Sequence, residues 1–556
     1  MKIIGANICQ RPTGKELLDA GACLLEDGNI VVAIAEERLT RVKHASSIVN
    51  SINYCLDCGK LSTDEVDMFV FSVCGCQTVS VDYIQEILKV SGFEIPQNKI
   101  QVCPSHHLSH AASAYYPSGF EESIILVADR DGSVLDGEDP VPYANSVEHI
   151  SYYIGKGIQI ELIDRDEFFY GDVGVGKAYS YVTSWLGFDG HNHAGKTMAL
   201  AAYGDSSNLY PAHFFDFEEN KIHCLLEPLE DNKSLAVRRM IYKMAGLDIG
   251  AGGDYRQSKY AADVARLVQD NMEEAILKKL EYLRKKTGIS KLCFAGGVAL
   301  NCKMNYEIYK HRIFSDIFIQ PAAGDTGQCL GNALYGYHIL KGGRNRYAMH
   351  NAYFGKAYSS QDIQTAIREF GSRFEVVRPE NVYSYTAQQL IENKIVAWFQ
   401  GRSEFGPRAL GNRSILANPA IRDMKNILNA RVKFRESFRP FGASVMKDEA
   451  CKYFDIDIDS PYMLFATKVF EDRIKDISSV VHVDSSCRIQ TVDRDNNPEF
   501  YRLLFEFRKI SQIPILINTS FNIRGEPIVE TPEDAIKCFA STNIDCLVLG
   551  NYVLKK

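Results

Sequence analysis

The sequence predicts an α/β protein of two domains, the first of them internally duplicated. Three observations carry this. At 556 residues the chain exceeds what one hydrophobic core supports. Up to Leu340, short apolar strands alternate with helical stretches, and a strand, hairpin, helix series is laid down twice. The composition then turns polar and glycine-rich at Lys341-Gly342-Gly343-Arg344-Asn345-Arg346, so residues 1–345 and 346–556 are read as separate domains.

The first round opens with a strand at Lys2–Asn7. A hairpin follows, Gly21–Glu26 and Ile30–Ala35, joined by Asp27-Gly28-Asn29, a tight-turn tripeptide. Asp67–Val73 is another apolar strand, and a helix over the segment His106 to Ala114 closes the round. The second round starts at Ser123–Ala128, which runs into Asp129-Arg130-Asp131-Gly132. Its hairpin is His149–Ile154 and Ile158–Ile163, turning at Gly155-Lys156-Gly157. Such a duplication is of the kind that closes on a nucleotide between its halves.

From Ser258 to Lys286 the residues Ala261, Val264, Ala265, Val268, Met272, Ile276, Leu280 and Leu283 form one helical stripe, and Gly288 ends it. This helix is read as structural. The strand Leu292–Ala295 breaks into Gly296-Gly297-Val298-Ala299-Leu300-Asn301. Paired glycines there let backbone amides approach a phosphate or ribose, or else serve strand-to-helix packing. Ala323-Gly324-Asp325-Thr326-Gly327 follows the strand Asp316–Gln320 and opens the helix Gln328–Leu340. Past the boundary, Ile395–Phe399, Ile513–Ile517 and Cys546–Leu549 are strands of the second domain.

The net charge of −8 argues against a nucleic-acid partner or an anionic membrane surface. No apolar run approaches membrane-spanning length, and no signal segment opens the chain. The 15 cysteines include Cys55 and Cys58 in one CxxC, with Cys74 and Cys76 nearby, but no second CxxC completes a zinc ribbon. The expected setting is reduced and cytoplasmic.

Two constellations carry chemistry. Three of the 13 histidines fall within five residues, His106, His107 and His110. On a helix His106 and His110 stand one turn apart on one face, a spacing that lets two imidazoles share a metal ion. With no Glu in an HExxH position, the pair is either a partial metal site needing carboxylates from elsewhere or a pair of ligand-free helix histidines. In the second half, Phe405-Gly406-Pro407-Arg408-Ala409-Leu410-Gly411-Asn412-Arg413-Ser414 sets two arginines around a Gly-Pro turn. Lys433, Arg435 and Arg439 follow, then Arg488, and Asn518-Thr519-Ser520-Phe521-Asn522 comes at the end of a buried strand. Guanidinium forks with a lysine point charge are what a phosphate or acyl phosphate requires. A solvated basic face paired with Glu404 and Glu436 is the plainer alternative.

Together the segments His106–Ala112, Gly195–Gly204, Gly296–Asn301, Phe405–Ser414, Lys433–Phe441, His482–Val492 and Asn518–Glu526 resemble the nodulation and antibiotic O-carbamoyltransferase family, nearly end to end. The resemblance implies an N-terminal domain of the duplicated actin and sugar-kinase type, similar to the universal tRNA-threonylcarbamoyl transferase (TsaD-like). A C-terminal α/β domain similar to the threonylcarbamoyl-adenylate synthases (YrdC-like) would follow it. It implies two reactions: carbamoyl-adenylate formation from Mg-ATP and carbamoyl phosphate, then carbamoyl transfer to a hydroxyl or amine of a small molecule in natural-product biosynthesis. By matching position, His106, His110, Asp129 and Asp325 would hold Fe(2+) or another divalent metal. Arg408, Lys433, Arg488 and Ser520 would contact carbamoyl phosphate and ATP, with Arg435, Arg439 and Asn518 as neighbours. Lys196, Gly296, Gly297 and Asn301 would hold the adenylate for transfer. A homodimer is a candidate assembly.

Two departures stand out. The family's His-Asp-Ala motif reads Leu18-Asp19-Ala20 here, and leucine moves no proton. Arg130 replaces the first glycine of an Asp-Gly-x-Gly turn. Either the acceptor is an amine or an acidic group needing no base, or Asp19, His191 or His193 serves instead, or transfer is lost. Competing readings are a small-molecule kinase of the same duplicated fold, a transferase acting on tRNA, and a non-catalytic binding protein.

Overall fold

β1 (Lys2–Ile8) is buried at every residue but the first, as a strand covered on both faces must be. The computed structural model describes residues 1–9, 19–73, 79–133, 147–168, 174–190, 192–209, 213–225 and 260–556. Leu18, His191, Cys74 and Cys76 therefore lie outside the described residues. The chain packs into two units: Met1–Asn29 with Ser46–Ile52 and Leu61–Ala348, and Ile30–Ala45 with Asn53–Lys60 and Met349–Lys556.

In the first unit β1 pairs antiparallel with β2 (Gly21–Glu26). Asp27 at φ 49° and Gly28 at φ 82° form the turn, with the backbone that a two-residue hairpin favours, that leads to β3 (Asn29–Ala35), whose residues from Ile30 on are counted with the second unit. On its other side β1 pairs parallel with β4 (Met68–Val73), which pairs with β5 (Ile100–Val102). The second sheet repeats the scheme. β6 (Glu122–Ala128) pairs antiparallel with β7 (Val147–Lys156), and β7 with β8 (Gln159–Phe168). A small hairpin, β9 (Phe215–Glu218) and β10 (Lys221–Cys224), lies apart. On its free side β6 pairs parallel with β11 (Lys291–Ala295), and β11 with β12 (Asp316–Ile319). Each sheet thus has a central strand with a hairpin on one side and two parallel strands on the other.

The β7–β8 turn is tighter than the glycines predict. Gly157, at φ 58°, and Ile158 make it, so Gly155 and Lys156 stay in the ladder. The long helix runs Ala261–Thr287 and stops at Gly288 in the left-handed conformation. No helix among the described residues is long and apolar enough to cross a membrane.

The second unit is built on one mixed sheet, with a short pair beside it. The pair is β13 (Tyr353–Ala357) with β16 (Arg402–Glu404). The remaining strands are β14 (Glu375–Val377), β15 (Val396–Phe399), β17 (Arg413–Ala417), β18 (Gly442–Met446), β19 (Phe465–Lys468), β20 (Ser486–Val492), β21 (Ile515–Ser520), β22 (Cys546–Leu549) and β23 (Tyr552–Lys555). They lie in the order β14-β23-β22-β15-β17-β21-β18-β20-β19. Helices Val382–Ile391 and Pro498–Ser511 cover one face, burying Trp398, Phe500, Phe507 and Leu516. β21 begins later than the hydrophobic run suggests and continues to Ser520. Asn518 is therefore inside the sheet, opposite Gly442 and Leu416.

Candidate metal centre and anion site

Ser105 starts the helix His106–Tyr115: its Oγ accepts from Leu108 N at 3.1 Å and donates to Glu148 Oε1 at 2.8 Å. Glu148, fully buried, also accepts from His107 N and Ser133 N, and Arg165 pairs with it at 2.9 Å. The helix is apolar or small along its other faces and packs closely on Gln328–Tyr335. A Cβ at Gly331 would stand 1.9 Å from the Ser109 carbonyl oxygen, so only glycine permits this approach. Ser109 Oγ binds Asn332 Oδ1 at 2.8 Å across the same contact.

This packing brings four side chains from separate elements together. His106 and His110 come from the helix, Asp129 from the residue after β6, and Asp325 from the turn after β12. One ligand atom from each lies within 4.8 Å of all the others. His106 Nε2 is 3.7 Å from Asp129 Oδ2 and 3.4 Å from Asp325 Oδ1; His110 Nε2 is 3.3 and 3.6 Å from the same atoms. Donors bonded to one ion at about 2.0–2.2 Å are separated by about 3.0–3.6 Å, close to these spacings. Both ring nitrogens of buried His110 have no hydrogen-bond partner among the described residues. The donor set suits a divalent first-row ion. Burial raises Asp129, yet the two imidazoles beside it outweigh this and hold its carboxyl well below the ordinary range; Asp325 is likewise lowered.

The glycine turn supports this centre. Gly297 N donates to Asp129 Oδ2 at 3.1 Å and Arg130 N to Oδ1 at 2.7 Å. Gly296 sits at φ 90°, where a Cβ would meet the Ala128 carbonyl oxygen at 2.2 Å. Gln328, placed in the sequence only as a helix start, has its amide nitrogen 3.3 Å from Asp325 Oδ1 and 3.2 Å from His106 Nδ1. Like Glu148, it carries no periodicity that would mark it. His107 turns away to Ser151 Oγ at 2.7 Å, and burial depresses it to about 3. The Asp19 carbonyl accepts from Asn7 Nδ2 at 3.0 Å and from Thr326 Oγ1 at 3.3 Å, which sets Asp19 beside the turn carrying Asp325. His193 Nδ1 accepts from Asp189 N at 3.2 Å.

Lys196 is buried on the helix Ala194–Ala201 with Nζ 5.2 Å from the centre of the Phe188 ring. Asn301 caps the helix Cys302–Lys310 through Met304 N, and its amide bonds Gln269 Oε1 at 2.9 Å. Gln269 in turn donates to Glu273, whose carboxyl burial raises to about 7.

In the second unit the predicted basic residues divide by role. Lys433 is buried at the end of a short π-helical turn. Its ammonium donates to Ser520 O and Oγ and to Asn522 O and Oδ1, so it fastens the end of β21 to the following loop. Burial, then Arg435, depress it well below the lysine range. Arg435 bonds Asn429 Oδ1 at 2.7 Å and stacks on Phe441; burial, then Arg439 and Arg488, lower it to about 9. Arg439 is lowered chiefly by burial, with Glu436 opposing at 3.7 Å. Arg488 Nε is buried without a hydrogen-bond partner among the described residues. Arg408 follows the Gly406-Pro407 turn and is half-buried. Arg413 is structural: fully buried, it binds the carbonyls of Gln400, Gly401 and Glu530 and lies 3.6 Å from the Phe399 ring centre. Asn518 is also internal, its amide donating to Ser444 Oγ and Gln490 Oε1.

The carbamoyltransferase N-terminus family model matches residues 14–90 and 80–334, and the carbamoyltransferase C-terminus model matches 387–556. Nodulation protein NolNO of Sinorhizobium fredii is 33% identical, over 97% of this chain and 79% of its own. An uncharacterised Synechocystis protein is 33% identical over 97% of this chain and 95% of its own. The 3'-hydroxymethylcephem-O-carbamoyltransferase of Streptomyces clavuligerus is 31% identical over 65% of this chain and 64% of its own. Among solved structures, full-length HypF overlays at a TM-score of 0.39 and 12% identity, over 63% of this chain and 56% of that one. With both family models matched and a relative aligned nearly end to end, the chain belongs to the carbamoyltransferase family.

Proposed function

We propose that the protein makes carbamoyl-adenylate in its second unit and transfers the carbamoyl group to a small-molecule hydroxyl or amine in its first. Water releases phosphate from carbamoyl phosphate, leaving carbamate. A carbamate oxygen attacks the α-phosphorus of ATP, forming the mixed anhydride as the bond to pyrophosphate breaks. The acceptor oxygen or nitrogen then attacks the carbamoyl carbon, AMP departs, and the acceptor loses its proton.

The observation that carries this reading is the crowding of Arg435, Arg439 and Arg488 against a single acid, Glu436. Burial, then the neighbouring guanidiniums, lower Arg435, and burial lowers Arg439 despite Glu436; a bound phosphorylated anion supplies the further counter-charge. Bringing carbamate to the ATP α-phosphate joins two anions, and these guanidiniums, with Arg408, offset the repulsion. Lys433 positions Ser520 and Asn522 rather than facing substrate. The first unit serves transfer: its twice-repeated sheet supports the actin and sugar-kinase type, as the second unit's mixed sheet is compatible with a YrdC-like fold. His106, His110, Asp129 and Asp325 would hold a divalent ion supplying Lewis-acid charge to the leaving phosphate and the reacting carbonyl. Gly297 holds Asp129 in place for this, Lys196 offers charge to the adenylate, and Asp19 is the candidate proton acceptor. ATP and carbamoyl phosphate are co-substrates.

The test is pyrophosphate release with ATP, with and without carbamoyl phosphate, in the absence of acceptor. Release is expected only with carbamoyl phosphate, and to vanish in Arg488→Ala. ADP formation, or release indifferent to carbamoyl phosphate, would refute adenylation and favour a kinase.

A further inference from the structure

The second unit includes a segment from far upstream, Ile30–Ala45, and this segment carries Arg38, Arg41 and Lys43. Arg38 is only 2% exposed. Its Nη2 donates to the Gly406 carbonyl at 2.8 Å, two residues before Arg408. Its Nη1 has no hydrogen-bond partner among the described residues, and no carboxylate there pairs with it. Two other arginines of this unit are satisfied: buried Arg413 by a ring of carbonyls, and half-buried Arg41 by Ile528 O at 2.7 Å, Pro527 O at 2.8 Å and Asp534 at 3.6 Å. A guanidinium withdrawn from water with one bond and no counter-ion is unfavourable until an anion reaches it.

The rest of the segment leads to the same place. Arg41 grips residues 527 and 528, just past the loop that holds Asn522 and Arg524. Lys43 is exposed, and after burial and the two arginines its charge is among those that depress Lys433. The segment therefore spans from the Gly406 turn to the Pro527-Ile528 stretch.

Building on the reading of this unit as a phosphate-binding site, we propose that Arg38 is an anion ligand of the second unit, its Nη1 edge taking a phosphoryl oxygen of the small phosphorylated substrate while Nη2 holds the Gly406 turn. The planar fork suits this division, since one edge fixes the protein and the other meets the ligand.

Calorimetric titration of the full chain with carbamoyl phosphate, inorganic phosphate and ATP tests it. Arg38→Gln should weaken one or more of these ligands at least about tenfold, in keeping with loss of a charge-assisted bond, while the ligand-free melting temperature holds. Loss with carbamoyl phosphate and inorganic phosphate places that phosphoryl group on Arg38; loss with ATP alone places the triphosphate there. Arg38→Lys keeps charge and bulk and guards against misfolding. It should still bind several-fold more weakly, because one ammonium cannot replace both edges of the fork. Wild-type affinity for all three ligands in both variants, with binding lost in Arg488→Ala, would make Arg38 a purely structural arginine. If Arg488→Ala also binds normally, the phosphate site itself is misassigned and the inference falls with it.

Discussion

His110 Nε2 lies 3.3 Å from Asp129 Oδ2, and neither ring nitrogen of that buried histidine has a hydrogen-bond partner among the described residues. An imidazole kept dry between two carboxylates is arranged for an ion. Purified protein is expected to carry a divalent first-row metal, measured by plasma mass spectrometry. Asp129→Asn and His110→Ala should each lower its affinity by more than about 100-fold, the upper range found even for outer-shell partners. Metal occupancy unchanged in both variants would rule out this centre.

Glu148 acts one layer out. It receives the N-cap serine, the His107 amide, the Ser133 amide and Arg165. Glu148→Leu strands all four donors and should cost about 3–5 kcal/mol in urea denaturation, the range for breaking a buried pair. A loss below about 1 kcal/mol, as at exposed pairs, would show the network to be slack.

Glu273 gives a pH dependence of definite sign. Its carboxyl is raised to about 7 by burial, above its unfolded value, so the native state keeps a proton that the unfolded chain gives up. Stability from this group is fully present below about pH 4.5 and is lost as pH rises through 7. Glu273→Gln should raise stability at pH 8 by about 2–3 kcal/mol and change little at pH 4.5. Equal effects at both pH values would show that proton binding is not the cause.

The crowded arginines predict specific stabilisation by phosphate. Inorganic phosphate at 100 times its dissociation constant adds about 2.7 kcal/mol through mass action, visible as a higher melting temperature for the second unit. Equal ionic strength of chloride should not reproduce it, and Arg435→Ala should reduce it.

What the sequence reveals of this protein depends on how local each determinant is. The pairing of His106 with His110 is legible because one helical turn sets it. The repeat of strand and hairpin is legible because turns such as Asp27-Gly28 announce themselves. Gly296 and Gly297 read equally well as a phosphate turn or a packing turn, and only the fold shows Gly297 engaged with Asp129. Asn518 looks like a strand-end side chain, since the apolar run stops before it. The polar ladder with Ser444 and Gln490 carries the strand past that point. Glu148 and Arg38 have no local signal at all, because their partners come from distant parts of the chain, and Gln328 meets His106 only through the fold.

The partition of the chain also governs how it can be divided. The second unit draws Ile30–Ala45 and Asn53–Lys60 from the opposite end of the polypeptide. A fragment beginning at Met349 would lack Arg38 and Arg41, together with the Tyr54 hydroxyl that binds Glu530 at 2.7 Å. Separate expression of the two halves of the gene would therefore yield one incomplete product, and a shortened enzyme would have to be rejoined by permuting the chain rather than cut at the glycine-rich linker.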